Sequence, residues 1–150
     1  EQYQKAVKYY RLCHQLNPYH VRCHNDLALV LNELGHPDEA FKHFEEGLKY
    51  SPSHENLLLN LARMYVNRRQ YDVALNLLER LIALSPKSVE ALWMAGETAN
   101  FAGNMESAHR WWKRILDLDL EDAVGQRLSD EARRALFRTD TSMPSPDNRG

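Results

Sequence analysis

Two cysteines and three histidines crowd into a short stretch near the amino terminus, as Cys13, His14, His20, Cys23 and His24. Thiolate sulfur and imidazole nitrogen are ligands of zinc-class ions, and His20, Cys23 and His24 are spaced to lie on one turn of a helix. A second chemistry is a disulfide between Cys13 and Cys23, which a turn between helices allows but which nothing else in the sequence supports. A third is packing, since a cysteine on a buried helix face behaves as a small apolar residue. Catalytic groups are harder to find. The paired acids Glu45-Glu46 and Glu121-Asp122 fall in or at the ends of helical patterns, where carboxylates are ordinarily solvated or act at a helix terminus. There is no glycine-rich phosphate loop and no nucleophile elbow.

The elements that position these groups recur. Residues 21–54, 55–88 and 89–122 stack as three blocks of 34. Ala40, Ala74 and Ala108 fall in register, as do Phe44, Leu78 and Trp112, and Leu27, Leu61 and Ala95, while Pro18, Pro52 and Pro86 close successive blocks. A fixed period of this length is the mark of stacked supersecondary units, not of a single-site enzyme fold. Within the middle block, Leu58, Leu61, Ala62 and Tyr65 recur at three and four residues and make one face of a helix. Arg68, Arg69 and Gln70 then make a turn. Ala74, Leu77, Leu78, Leu81 and Leu84 repeat the pattern from Tyr71, and Ser85-Pro86 ends it, because proline lacks an amide donor and restricts the residue before it. Gly35 and Gly103 sit where a left-handed cap is wanted. Small residues at Ala40, Ala74 and Ala108 let the two helices approach. This register places Cys13 and His24 on buried faces, so no metal site, no cofactor and no catalytic residue is assigned, and the chain reads as a protein that is not an enzyme.

An apolar residue, then Leu-Ala or Ala-Gly, then Leu, Tyr or Ala, followed by Ala, a bulky residue four on and Pro, resembles the tetratricopeptide repeat. The middle block matches best, through Leu58, Leu61, Ala62, Tyr65, Ala74, Leu78 and Pro86. His24, where the family has a large apolar residue, and Leu120, in place of a closing proline, depart from the pattern and bear on local packing. The resemblance implies an all-α fold, a right-handed solenoid of antiparallel helix pairs with about eight helices. Ala6, Tyr10 and Pro18 lie 34 residues before Ala40, Phe44 and Pro52, so residues 1–20 are expected to be the second helix of a preceding repeat. Repeats then occupy 21–54, 55–88 and 89–122. Residues 123–138 are expected to form a capping helix with a polar outer face, which such arrays need, and 139–150 a disordered tail.

Resemblance also implies a concave groove lined by the first helix of each block. The implied partner-binding residues are Asn25, Leu29 and Asn32, then Asn60, Arg63 and Asn67, then Trp93, Glu97 and Asn100. Asparagine amides both donate and accept, and so suit the backbone of an extended peptide. Trp93 would anchor an apolar side chain, and Arg63 a carboxylate or an aromatic ring. A receptor for chaperone tails is disfavoured, since of the family's clamp positions only Asn60 matches, with Leu29, Glu90 and Met94 at others. The expected partner is another protein, a peptide or a helix, with the alternative of homo-oligomerisation through the array ends or convex face. Apolar residues around Val7, Tyr10 and Leu12 would mediate self-association at the amino-terminal end. A weak likeness of the third block and Trp111-Trp112 to the ends of bacterial arrays leans towards bacterial secretion or assembly. With 19 basic and 21 acidic residues interspersed and a net charge of -2, there is no field for nucleic acid and no polybasic run for a membrane. No apolar stretch is long enough to span a bilayer. The chain opens at Glu1 instead of Met and so reads as a segment of a longer protein, with a cytoplasmic or a periplasmic setting equally open.

Overall fold

The computed structural model describes residues 2–118, 120 and 122–139, with side chains from residue 4 onwards. The described elements are eight helices: α1 (Gln2–Leu16), α2 (Val21–Glu33), α3 (Pro37–Tyr50), α4 (Glu55–Asn67), α5 (Tyr71–Leu84), α6 (Val89–Phe101), α7 (Met105–Leu116) and α8 (Ala123–Thr139). No strand occurs among the described residues. The all-α architecture that the resemblance implied is the one found. The helices fall into two compact units, residues 1–68 with α1 to α4 and residues 69–150 with α5 to α8.

Short turns make consecutive helices within each unit antiparallel. Gly35 (φ 81°), Arg69 (φ 59°) and Gly103 (φ 78°) all adopt the left-handed conformation just after a first helix. They stand 34 residues apart, so the middle block meets with arginine a backbone demand that its neighbours meet with glycine. Second helices begin differently. Pro37 opens α3, where its missing amide costs nothing, and the Asn104 side chain accepts the Ser107 amide at 3.0 Å to cap α7.

In the first unit, Leu27, Ala28 and Leu31 of α2, Ala40 and Phe44 of α3, and Leu57, Leu58, Leu61 and Ala62 of α4 make a continuous buried core. Gly47 marks the closest approach, since a Cβ there would lie 2.9 Å from Leu57 Cδ1 and 3.1 Å from the His24 Cβ. α1 packs on α2 but leaves Tyr9, Leu12 and Leu16 exposed. In the second unit, Ala74 and Leu78 of α5, Leu92 and Ala95 of α6, Ala108, Trp112 and Ile115 of α7, and Ala132 and Leu136 of α8 are buried. α8 packs on α7 and also touches α6, and the Asp122 side chain accepts the Gly125 amide at its start. Thr139, expected in the tail, instead ends α8, its hydroxyl donating to the Ala135 carbonyl at 2.9 Å. The expected disordered tail from residue 140 lies outside the described residues.

Candidate functional site

In the first unit the implied groove residues separate into two kinds. Leu29 and Asn32 on α2 and Arg63 and Asn67 on α4 are exposed, at helical spacings that place each pair on one face. Asn25 is buried. Its Nδ2 donates to Asp26 Oδ1 at 3.1 Å, and its Oδ1 accepts from Nδ2 of the half-buried Asn60 at 3.1 Å. These two amides therefore join α2 to α4. Satisfied pairing of this kind fixes helix register, because an unpaired buried amide would cost about 1–3 kcal/mol. Just after α4, Arg68 lies 4.0 Å over the Phe41 ring and pairs with Asp38, while Phe41 meets Tyr65 edge-on. Burial, then the charge and hydrogen bond of Glu45, raise the Tyr65 phenol pKa.

In the second unit Trp93, Glu97 and Asn100 share a face of α6 and are all half-buried. The Trp93 ring lies 6.1 Å from that of Trp112, tilted by 35°, so it is packed as well as partly accessible. Burial pushes the Glu97 carboxyl up, Glu131 on α8 adds to that, and Arg138 on the same helix opposes it. α8 thus shields part of the α6 face. Phe101 is exposed and stacks on Tyr71 at 6.2 Å. A cleft of about 360 Å³ beside them is lined by Gln70, Tyr71, Val73 and Ala102 among others.

The amino-terminal cluster resolves into two arrangements. Cys13 and Cys23, whose Cα atoms lie 6.3 Å apart, form a disulfide. The sequence left that pairing open; the turn at 17–20 brings the end of α1 to the start of α2 and closes it. The two sulfurs are bonded to each other, so neither is a thiolate ligand. His24 is fully buried, as its register implied, whereas Cys13 is only half-buried. Nε2 of His24 lies 2.7 Å from the Pro18 carbonyl; a carbonyl can only accept, so Nε2 holds the hydrogen and Nδ1 presents a lone pair. That Nδ1 accepts a hydrogen bond from His43 Nδ1 at 3.4 Å and lies 3.7 Å from Glu46 Oε2, with 3.9 Å between the last two. Burial first, then His24, lower the His43 pKa, with Glu46 opposing. The sequence reading singled out neither His43 nor Glu46 in this connection. They lie on α3, and only their separation by three residues, one face of a helix, hinted that they act together.

Two sequence models of the tetratricopeptide repeat match the chain, one over residues 21–54 and one over 59–119. Tetratricopeptide repeat protein 8 of Caenorhabditis elegans is 27% identical over 92 residues, 61% of this chain; the chain spans only 18% of that relative's length. Among solved structures, MamA superposes with a TM-score of 0.75 over 90% of this chain and 79% of that one at 15% identity. The first TPR of Spaghetti (RPAP3), bound to an HSP90 peptide, gives a TM-score of 0.65 over 78% of this chain and 93% of that one at 20% identity. At such identities the two structures speak for the fold alone. The repeat models together cover well over half of the sequence and coincide with its 34-residue period, and the protein belongs to the tetratricopeptide repeat family.

Proposed function

We propose that this chain is a non-enzymatic interaction scaffold that receives an extended or helical segment of a partner protein on the first helices of its blocks. The observation that supports this most is on α2 and α4. Leu29, Asn32, Arg63 and Asn67 are exposed there, while Asn25 and Asn60 below them lock the helices. A rigid backbone that presents polar donors and one aliphatic contact binds a peptide at low ordering cost. The HSP90 peptide in the Spaghetti structure shows that a related fold takes up a peptide. The positions in this chain do not repeat a tail clamp, because Leu29 offers no group for a carboxylate. Within the second unit, Trp93 and Glu97 on α6 offer a face of the same kind, with α8 limiting how much of Glu97 a ligand reaches. A random-peptide display selection tests this. Peptides enriched on the wild-type chain should be lost by a Leu29→Ser/Arg63→Ala variant that keeps its helical circular dichroism, and equal retention would refute the assignment.

A second reading is homotypic assembly through the amino-terminal end, and one feature favours it. Tyr9, Leu12 and Leu16, 70%, 53% and 80% exposed, follow one another at three and four residues and so form an apolar stripe on α1. Sedimentation over a wide concentration range should then show an oligomer that Leu12→Glu/Leu16→Glu dissociates. A monomer at every concentration would end this reading while leaving the peptide scaffold standing. Bacterial secretion or assembly, the setting suggested by the Trp111-Trp112 end, stays a narrower form of the same proposal.

A further inference from the structure

We infer that His24, His43 and Glu46 form a binding site for one divalent transition-metal ion of the zinc class. Their three facing atoms stand 3.4, 3.7 and 3.9 Å apart. A point equidistant from atoms so placed lies about 2.1 Å from each, which is the length of a zinc–nitrogen or zinc–carboxylate bond. A tetrahedral site with such bonds has ligand–ligand edges of roughly 3.4 Å, so closing onto an ion needs shifts of only a few tenths of an ångström. Two imidazole donors select against magnesium and calcium, which require oxygen.

What surrounds the three atoms fits the same use. The Pro18 carbonyl holds the hydrogen of His24 on Nε2, the outer-shell contact that metal-bound histidines ordinarily make, and it turns Nδ1 towards the other two ligands. His43 and Glu46 come from adjacent turns of one rigid helix. The disulfide from Cys23, the neighbour of His24, to Cys13 ties α1 to the start of α2. His14, the neighbour of Cys13, stands edge-on to His24 with ring centres 4.8 Å apart. Its Nδ1 is buried without a hydrogen-bond partner among the described residues. His43 and Glu46 are partly open to solvent, which gives the ion a way in.

The repeats supply an internal control. Moving 34 residues along from His24 gives Leu58 and then Leu92, both buried, and from His43 gives the buried Leu77 and then the half-buried Trp111. The architecture accommodates leucine at these places, yet the first block holds imidazoles, His24 satisfied by Pro18 and His43 and His43 left partly open beside Glu46.

The test uses the whole untagged chain with the disulfide intact, verified by the absence of titratable thiol, in calorimetric titrations with zinc sulfate at neutral pH. One ion per chain is expected. His43→Asn and Glu46→Gln, at partly exposed positions and checked for unchanged helical circular dichroism, should each weaken binding at least about 100-fold, since even outer-shell changes cost 10- to 100-fold. Cobalt in place of zinc should give the visible bands of a four-coordinate nitrogen and oxygen site without sulfur charge transfer. Failure of the wild-type chain to saturate, or binding that both variants retain, would overturn the inference. So would binding that appears only once the disulfide is reduced, which would assign the ion to Cys13 and Cys23.

Discussion

Gly96 on α6 is held to hydrogen by one neighbour, and the consequence can be measured. A Cβ at this position would lie 2.3 Å from Trp112 Nε1, 2.5 Å from its Cδ1 and 2.9 Å from its Cε2, whereas carbon atoms in contact sit about 3.5–4.0 Å apart. Trp112 is 1% exposed and has nowhere to swing, so the helices must separate by about 1 Å. Overpacking of that kind costs roughly 1–3 kcal/mol. Removing a glycine from a helix interior returns about 0.5–1 kcal/mol. Gly96→Ala should therefore destabilise the chain by about 1–2 kcal/mol, a fall in Tm of roughly 2–8 °C for a protein of this size. In a Trp112→Phe background the indole Nε1, nearest to the new methyl, is gone and the smaller ring leaves room to settle, so the same substitution should stabilise by about 0.5–1 kcal/mol through helix propensity. The equivalent places in the first block hold Ala28 and Phe44, the very pair the double variant creates. Thermal and urea melts of the four proteins, read by circular dichroism, give the coupling energy, expected near 2 kcal/mol. An equal cost for Gly96→Ala in both backgrounds would refute the steric argument.

Arg69→Gly should raise stability by about 0.5–1 kcal/mol, because the left-handed backbone there costs an L-residue about 1–2 kcal/mol and glycine gives part of that back through unfolded-state entropy; a lower Tm for the glycine variant would contradict this. Reducing the Cys13–Cys23 bond, which closes a loop of sequence separation 10, should lower stability by about 2–3 kcal/mol, seen by comparing melts with and without reductant. Glu97 has a raised pKa caused first by burial. Between the ordinary carboxyl value and the raised one the folded chain keeps a proton that the unfolded chain has lost, so the contribution of Glu97 to stability falls as pH rises through that interval. Glu97→Gln should accordingly be more stable than wild type at neutral pH, with the gain vanishing below the carboxylate range; a pH-independent difference would exclude this cause.

The period made the fold legible because burial at Leu27, Leu61 and Ala95, and closeness at Ala40, Ala74 and Ala108, are demands each block meets afresh with similar residues. Gly35 and Gly103 announced their turns, whereas Arg69 concealed the same backbone, since an arginine gives no signal of a positive φ. The candidate site was less readable. Family register puts Asn25 and Asn60 in the groove, but the hydrogen bond between them depends on how α2 and α4 pack, which period alone does not express. Trp93 as a contact to solvent likewise omitted the Trp112 ring beside it. His24 and His43 stand 19 residues apart, and only the antiparallel pairing of α2 and α3 brings them together.

Departures from the repeat are of two kinds, and the difference bears on function. At Gly96 and Trp112 one residue is smaller and its partner larger than in the first block, so the core is still filled; such a change conserves volume and asks for no explanation outside packing. At His24 and His43 polarity changes instead, while the equivalents Leu58, Leu92 and Leu77 stay buried. Burying a leucine contributes about 1.5–3 kcal/mol, so the first block forgoes core stability at both positions. Scattered substitutions of this sort would be ordinary, because each repeat contacts mainly its neighbours and drifts separately. These two converge on one point with Glu46, and the hydrogen bonds that satisfy His24 within the packing return none of the apolar burial and do not account for the convergence. A ligand that binds the folded chain alone does, since it restores by mass action the stability that the leucines would have supplied.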